Sequence, residues 1–304
     1  MTHRSDNERL RDVGEEALVE RLIARLPGNA DVIAGAGDDC AIVRFGEGRQ
    51  WQLLKTDCLI ESVHFVPGTD PVLVGRKAFN RVLSDIAAMG GIPSHALVTI
   101  ATDSDRQVSE IEGWYEGMTA VAGECGCSIV GGETAKLDDD GALLSIAMTG
   151  VVSPEYCVRR SGAEIGDGIW VTGRLGGSFE SGRHLIFSPR LQEAQWLCER
   201  FKPSSMMDLS DGLGSDLPRL SAASGLGYSV DTSALPLHEH VTIAQAVTDG
   251  EDYELLMTMS PAKSDRVLEE WNAAWPDLQL TRIGEVVAET KISLQRGWEH
   301  YLNA

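Results

Sequence analysis

The residues best equipped for chemistry lie in one ten-residue stretch, Met207-Asp208-Leu209-Ser210-Asp211-Gly212-Leu213-Gly214-Ser215-Asp216. Two further acidic turns share its build: Gly35-Ala36-Gly37-Asp38-Asp39-Cys40 and Gly250-Glu251-Asp252-Tyr253-Glu254-Leu255. Carboxylate oxygens suit hard cations, and magnesium takes one or two of them together with substrate phosphate oxygens. Glycines beside them let the backbone approach a phosphate closely. The combination points to one metal-bound polyphosphate held between several turns. The acidic candidates are Asp38, Asp39, Asp57, Asp85, Glu133, Asp208 and Asp211, each expected beside a turn glycine or at the end of an element. Singly, such residues are more often helix caps or turn residues. The set carries the inference, and Asp216 reads as an early-helix carboxylate.

Two other stretches offer binding chemistry. Arg159-Arg160-Ser161-Gly162-Ala163 presents a guanidinium fork that matches polyphosphate, though a solvated basic linker reads the same way. The tail Gln295-Arg296-Gly297-Trp298-Glu299-His300-Tyr301 either packs down or offers a stacking face for a cationic ring.

The elements that must position these residues follow from periodicity. Residues 8–26 have helical spacing, closed by Pro27-Gly28. Asp39–Phe45 and Trp51–Asp57 read as a hairpin about Gly46-Glu47-Gly48, which puts Thr56-Asp57 at a strand exit. Asp70 caps a helix that has Pro71 in first position, runs to Met89 and stops at Gly90-Gly91. A strand at His95–Ala101, a helix over 106–124, a strand at Ser128–Val130 leading into Gly131-Gly132-Glu133-Thr134, and the apolar strand Leu143–Val152 complete this half. Pro154–Asp167 reads as the passage between two domains, residues 1–153 and 154–304. The second half alternates again. Strands are expected at Ile169–Gly173, Tyr228–Asp231, Tyr253–Met259, Ile283–Val287 and Lys291–Leu294, and helices over 189–200, 213–223, 238–247 and 261–274. Such alternation defines an α/β or α+β protein.

Composition narrows the function. A chain of 304 residues, 43% hydrophobic and 24% charged, is expected to bury a core and has room for two domains. Its net charge of −20 argues against binding nucleic-acid phosphates or anionic membranes. The start, Met1–Asp6, lacks the apolar core of a signal peptide, and no run reaches the ~18 apolar residues of a membrane span. The cysteines are scattered, and Cys125-Gly126-Cys127 is not a zinc spacing, so reduced thiols of a cytoplasmic protein are expected. The P-loop, G-x-G-x-x-G, protein-kinase and G-x-S-x-G signatures are all missing.

Taken in order, Gly37-Asp38-Asp39-Cys40-Ala41, Thr56-Asp57, His64-Phe65, Asn80–Gly90 (with Ser84-Asp85-Ile86-Ala87-Ala88-Met89-Gly90), Gly131-Gly132-Glu133-Thr134, Arg160-Ser161-Gly162-Ala163, Asp208-Leu209-Ser210-Asp211-Gly212 and Gly250–Leu255 resemble the thiamine-monophosphate kinase family. The resemblance spans about residues 15–302. It implies the aminoimidazole ribonucleotide synthetase-like architecture: a mixed-sheet N-terminal α/β domain that binds ATP and metal and pairs across a homodimer, plus a C-terminal α/β domain. It implies transfer of a phosphoryl group from ATP to thiamine monophosphate, with several Mg²⁺ ions and potassium as a candidate monovalent cation. Asp39, Thr56, Asp57, Asp85, Glu133, Asp208 and Asp211 fall at the family's metal positions. Tyr115, Gly132, Arg160 and Ser210 fall at ATP positions, and His64, Glu251 and Trp298 at substrate positions, with Tyr301 an alternative to Trp298. The resemblance assigns no catalytic side chain beyond these ligands.

Two departures stand out. Glu133 occupies an aspartate position, in a form closer to the aminoimidazole ribonucleotide synthetases, and Lys55 replaces a serine before Thr56-Asp57. The competing readings are therefore a synthetase-like ATP-dependent ligase and a non-catalytic metal- or nucleotide-binding relative.

Overall fold

The structure, a computed structural model, describes residues 8–46, 48–138, 140–299 and 301. Met1–Asp6, Glu47 of the expected turn, His300 of the tail and Leu302–Ala304 lie outside the described residues. The expected first helix is split into α1 (Leu10–Val13) and α2 (Glu15–Ile23), because Gly14 adopts φ 76 and ψ 171, outside helical space. Strands β1 (Val32–Ala34), β2 (Ala41–Arg44) and β3 (Trp51–Ile60) follow. Helix α3 (Pro71–Ala88) starts as expected, with the Asp70 carboxylate accepting from Val72 N. Then come β4 (Ile92–Thr102), α4 (Val108–Cys125), β5 (Ser128–Lys136) and β6 (Ala142–Val152).

These strands form one sheet in the order β1-β2-β3-β6-β4-β5, with β4 and β5 parallel and the other neighbours antiparallel. Every second residue of β6, from Ala142 to Val152, is buried, so one face carries the core against α3 and α4. The other face leaves Leu54, Leu97 and Val130 exposed along an apolar groove.

The second sheet belongs to the C-terminal half. Its elements are β7 (Gly168–Thr172), α5 (Leu191–Arg200), β8 (Ser205–Asp208), α6 (Leu213–Ala223), β9 (Gly227–Val230), α7 (Ile243–Thr248), β10 (Leu255–Met259), α8 (Ser264–Ala274) and β11 (Leu280–Val287). Its order is β8-β10-β7-β11-β9, antiparallel throughout. Lys291–Leu294 is not a strand, and α7 begins five residues later than its periodicity predicts. Thr242 supplies the true start of α7, through a capping box with Gln245. Helix α3 joins the halves: Asn80 Nδ2 donates to Phe187 O (2.8 Å) and Ser84 Oγ to Asp208 Oδ2 (2.6 Å). No described helix is long and apolar enough to cross a membrane.

Candidate active site

The stretch around Asp208–Asp216 is a strand end, a turn and a helix start. Asp208 ends β8, and Gly212 precedes α6 at φ 94, a value that favours glycine. Asp216 holds the turn: fully buried, it accepts from Ser210 N (3.1 Å) and Asp211 N (3.0 Å) and pairs with Arg219 (3.0 Å). The early-helix reading of Asp216 therefore understated it.

Asp208 meets Asp39 and Asp85 at one point. An oxygen of each lies within 4.8 Å of the others, and all three side chains are buried. Residues from three separate elements thus converge: the loop before β2, the C-terminal turns of α3, and the end of β8. Asp39 Oδ2 is buried with no hydrogen-bond partner among the described residues. Burial pushes Asp208 up to about 6, with Asp39 adding to it. Burial likewise raises Asp85 well above the usual carboxylate range, although Lys55 pulls it back. Three clustered carboxylates with an orphaned oxygen are costly without a cation, and all-oxygen donors suit Mg²⁺. The residues fit the metal that the motif pattern implies.

Fixed cations already neutralise part of this charge. Lys55 Nζ lies 2.5 Å from Asp85 Oδ1, and Arg160 Nη2 lies 2.5 Å from Asp39 Oδ1. Arg81 pairs with Asp57 (3.0 Å) and Arg219 with Asp211 (2.5 Å). Burial opposes the charge on Lys55, but Asp85 and Asp57 outweigh it and raise the ammonium's pKa. Asp38, Lys55, Asp57, Asp85, Arg160, Asp208, Ser210 and Asp211 all line a cleft of about 400 Å³, partly covered by Val19 and Ile23 of α2.

A second cavity of about 810 Å³ adjoins it, sharing Arg81, Ser210, Asp211 and Tyr253. His64, Glu251, Phe179 and Trp298 line it. Glu251 and Tyr253 sit at positive φ (55 and 52), a strained turn that aims side chains at this junction. Burial opposes charge on Glu251, but His184 and Lys77 beside it outweigh this and bring its pKa down to about 2. Burial brings His64 down to about 3. Trp298 reaches the cavity because the tail is stapled to the central motif: Trp298 N donates to Asp211 O (2.9 Å) and Gly297 N to Ser215 Oγ (2.9 Å). Tyr301 is not among the lining residues.

Other sequence candidates are not brought together here. Thr56 and Asp57 lie mid-strand, not at a strand exit, because β3 continues through Cys58-Leu59-Ile60. Asp57 faces α3 and Thr56 the open side of the sheet. Gly131-Gly132-Glu133-Thr134 is no turn but the middle of edge strand β5, and Glu133 is exposed there, paired with Thr99 of β4. A Cβ on Gly132 would sit 1.8 Å from Val98 O, so close strand packing alone demands that glycine. Tyr115 lies on α4, packed against the N-terminal core. Neither Tyr115, Gly132, Glu133 nor Thr56 lines the two cavities. Sequence reading missed Lys77, Arg81, Ser84 and His184. Polar residues on the core face of an apolar helix were the available signal for the first three.

The chain, two α/β halves each with its own sheet, belongs to the AIR synthase related proteins. The N-terminal domain model of that group matches residues 37–152, and its C-terminal domain model residues 165–297. Within that class the chain belongs to the thiamine-monophosphate kinase family. It is 34% identical over 294 residues to the thiamine-monophosphate kinase of Rhodopirellula baltica, covering 91% of this chain and 90% of the relative. It is 31% identical to that of Bacillus subtilis, covering 90% and 91%. Among solved structures it is similar to AaThiL complexed with AMPPCP and TMP, with TM-score 0.83 and 31% identity over 97% of this chain and 100% of that one.

Proposed function

We propose that the chain transfers the γ-phosphoryl group of ATP to thiamine monophosphate, giving thiamine diphosphate and ADP. One observation carries the reading: the cleft lined by Asp85 and Asp208 of the carboxylate cluster adjoins a roomy cavity lined by His64, Glu251 and Trp298. The AaThiL complex with AMPPCP and TMP supports the same pair of ligands. Asp39, Asp85 and Asp208, with Asp57 and Asp211, would hold Mg²⁺ at the cleft. When bound, the metal supplies charge neutralisation for the triphosphate. Arg160 and Ser210 stand at the cleft wall for phosphate contacts. Glu251 and Trp298 complement a cationic thiazolium ring, by charge and by ring face. The acceptor needs no general base, because a phosphate monoester is largely ionised above its second pKa of about 6. Positioning two polyanions against each other is the work required of the protein.

We further propose a cytoplasmic homodimer, with the domain boundary between residues 153 and 154. The exposed apolar groove of the N-terminal sheet, at Leu54, Leu97 and Val130, supports pairing there. Thr56 and Glu133 lie on that open side, and Gly132 and Tyr115 belong to the adjoining β5 and α4. A second copy seated on this face would cover Thr56 and Glu133, whereas Tyr115 packs against the core on the opposite side of the sheet. Potassium remains a candidate for the monovalent position.

ADP release with a panel of thiamine monophosphate, thiamine and formylglycinamidine ribonucleotide tests the activity. Turnover with thiamine monophosphate alone is expected. Turnover with the ribonucleotide alone would replace the kinase reading by the ligase that Glu133 suggests. Sedimentation of the wild type and of Leu97→Asp tests the dimer, with a shift to monomer expected in the variant.

A further inference from the structure

Lys77 is a buried charge that the proposed chemistry does not use. It lies in the middle of α3, with none of its surface exposed. Its three N–H groups face three partners: His64 O at 2.5 Å, His184 Nδ1 at 2.6 Å and Glu251 Oε2 at 2.8 Å. His64 comes from the N-terminal half and the other two from the C-terminal half. Burying an ammonium is costly, and only good geometry with several partners offsets the lost hydration. An apolar side chain of equal length would fill the same space without that cost. The question is therefore what this ammonium holds.

Its neighbours answer. His64, Glu251 and Phe179 all line the larger cavity, while Lys77 does not. Phe179 stacks on His184 (centroids 4.4 Å apart), and its centroid is 5.8 Å from Lys77 Nζ. Lys77 thus bonds two lining residues, His64 and Glu251, from behind the wall, with the Phe179 ring nearby. It takes Oε2 of Glu251, while Oε1 keeps the long 3.4 Å contact with the Tyr253 hydroxyl. The carboxylate is thereby fixed with one oxygen anchored and one available. The turn that carries it is strained at Glu251 and Tyr253, and such a turn persists only where its surroundings over-determine it. Gly176 N, donating to Asp252 Oδ1 at 2.9 Å, and the Phe187 ring stacked 4.0 Å from Tyr253 supply the rest of that hold.

We propose that Lys77 is a positioning residue for the acceptor substrate: it sets Glu251 and His64 against the cationic ring and ties the two domains together at that wall. The proposal rests on the reading of this cavity as the thiamine-phosphate site.

Lys77→Met, Glu251→Gln and the double variant test it, through KM for thiamine monophosphate, KM for ATP and the melting temperature of the whole enzyme. Lys77→Met is expected to raise KM for thiamine monophosphate about tenfold, with KM for ATP changed less than about twofold. If Lys77 acts through Glu251, the double variant is no worse than the worse single one. Equal increases in both KM values with a lowered melting temperature mean a merely structural lysine and overturn the proposal. So does additivity, or an unchanged substrate KM in Lys77→Met while Glu251→Gln raises it. Should Lys77→Met not fold, Glu251→Gln and the double variant are compared. Equal substrate KM values support the proposal, and a further rise overturns it. A wild type that does not turn over thiamine monophosphate removes the functional reading, and this proposal with it.

Discussion

The two adjoining cavities handle charge in opposite ways. In the cleft, carboxylates outnumber the fixed cations, Asp39 keeps a buried oxygen without a partner among the described residues, and Asp208 is pushed up to about 6. At the wall of the larger cavity the charges close on themselves, with Lys77 Nζ bonded to His64 O, His184 Nδ1 and Glu251 Oε2, and Glu251 held at about 2. The first is an incomplete electrostatic site that only added cations balance. The second is complete as folded. Nucleotide binding should therefore depend on metal, while recognition of the acceptor should be built in.

The comparison breaks most sharply under EDTA. Metal removal should reduce ADP release to background. Binding of thiamine monophosphate, followed by quenching of tryptophan fluorescence, should persist. Loss of both together would mean the cavities are not independent.

Next in size is Asp208→Asn, expected to lower kcat about 10²–10³-fold, the range for removing one key electrostatic contact, with little change in substrate KM. Stability should respond in the opposite sense. A carboxyl whose folded pKa of about 6 exceeds its unfolded value near 3.8 favours the folded state below both, and that favour is lost as pH rises through 6. Metal-free wild type should thus lose stability between about pH 4 and 6, and the Asp208→Asn variant should flatten that slope in thermal melts.

A smaller effect is expected for Trp298→Ala, which should raise KM for thiamine monophosphate several-fold and leave KM for ATP nearly unchanged. An unchanged substrate KM would remove Trp298 from the recognition cavity. The smallest effect concerns Lys55, the ammonium that already sits on Asp85. Without it, Lys55→Ser should tighten Mn²⁺ binding in calorimetry by a few-fold, since a competing cation is gone. No change would mean that Lys55 leaves Asp85 when metal arrives.

Much of the fold was legible locally. Helix α3 begins at the expected Asp70-Pro71 cap, and α6 spans 213–223 as its periodicity predicts. The hairpin of β2 and β3 was legible too, but its end was not. Cys58-Leu59-Ile60 extends β3 and leaves Asp57 mid-strand, because pairing with β6 continues past the point where the polar residues suggest an exit. Glu133 shows the same limit. A Gly-Gly dipeptide reads as a turn, yet Gly132 is needed because Val98 O lies where its Cβ would be.

The sequence by itself determined which groups are available: the acidic turns, the glycines beside them, and the aromatic tail. Their types and order are local facts, set by turn and cap chemistry within a few residues. Only the tertiary structure decided which of them share a site. Asp39, Asp85 and Asp208 converge because α3 packs against β8, and Ser84 bonds Asp208 across that contact. Trp298 joins the Asp208–Asp216 turn because the tail hydrogen-bonds to Asp211 and Ser215. Lys77, a polar residue on a core face, acquires meaning only from His64, His184 and Glu251, up to 174 positions away. Burial makes those pairings obligatory, since a charge removed from water must find its partner within the fold.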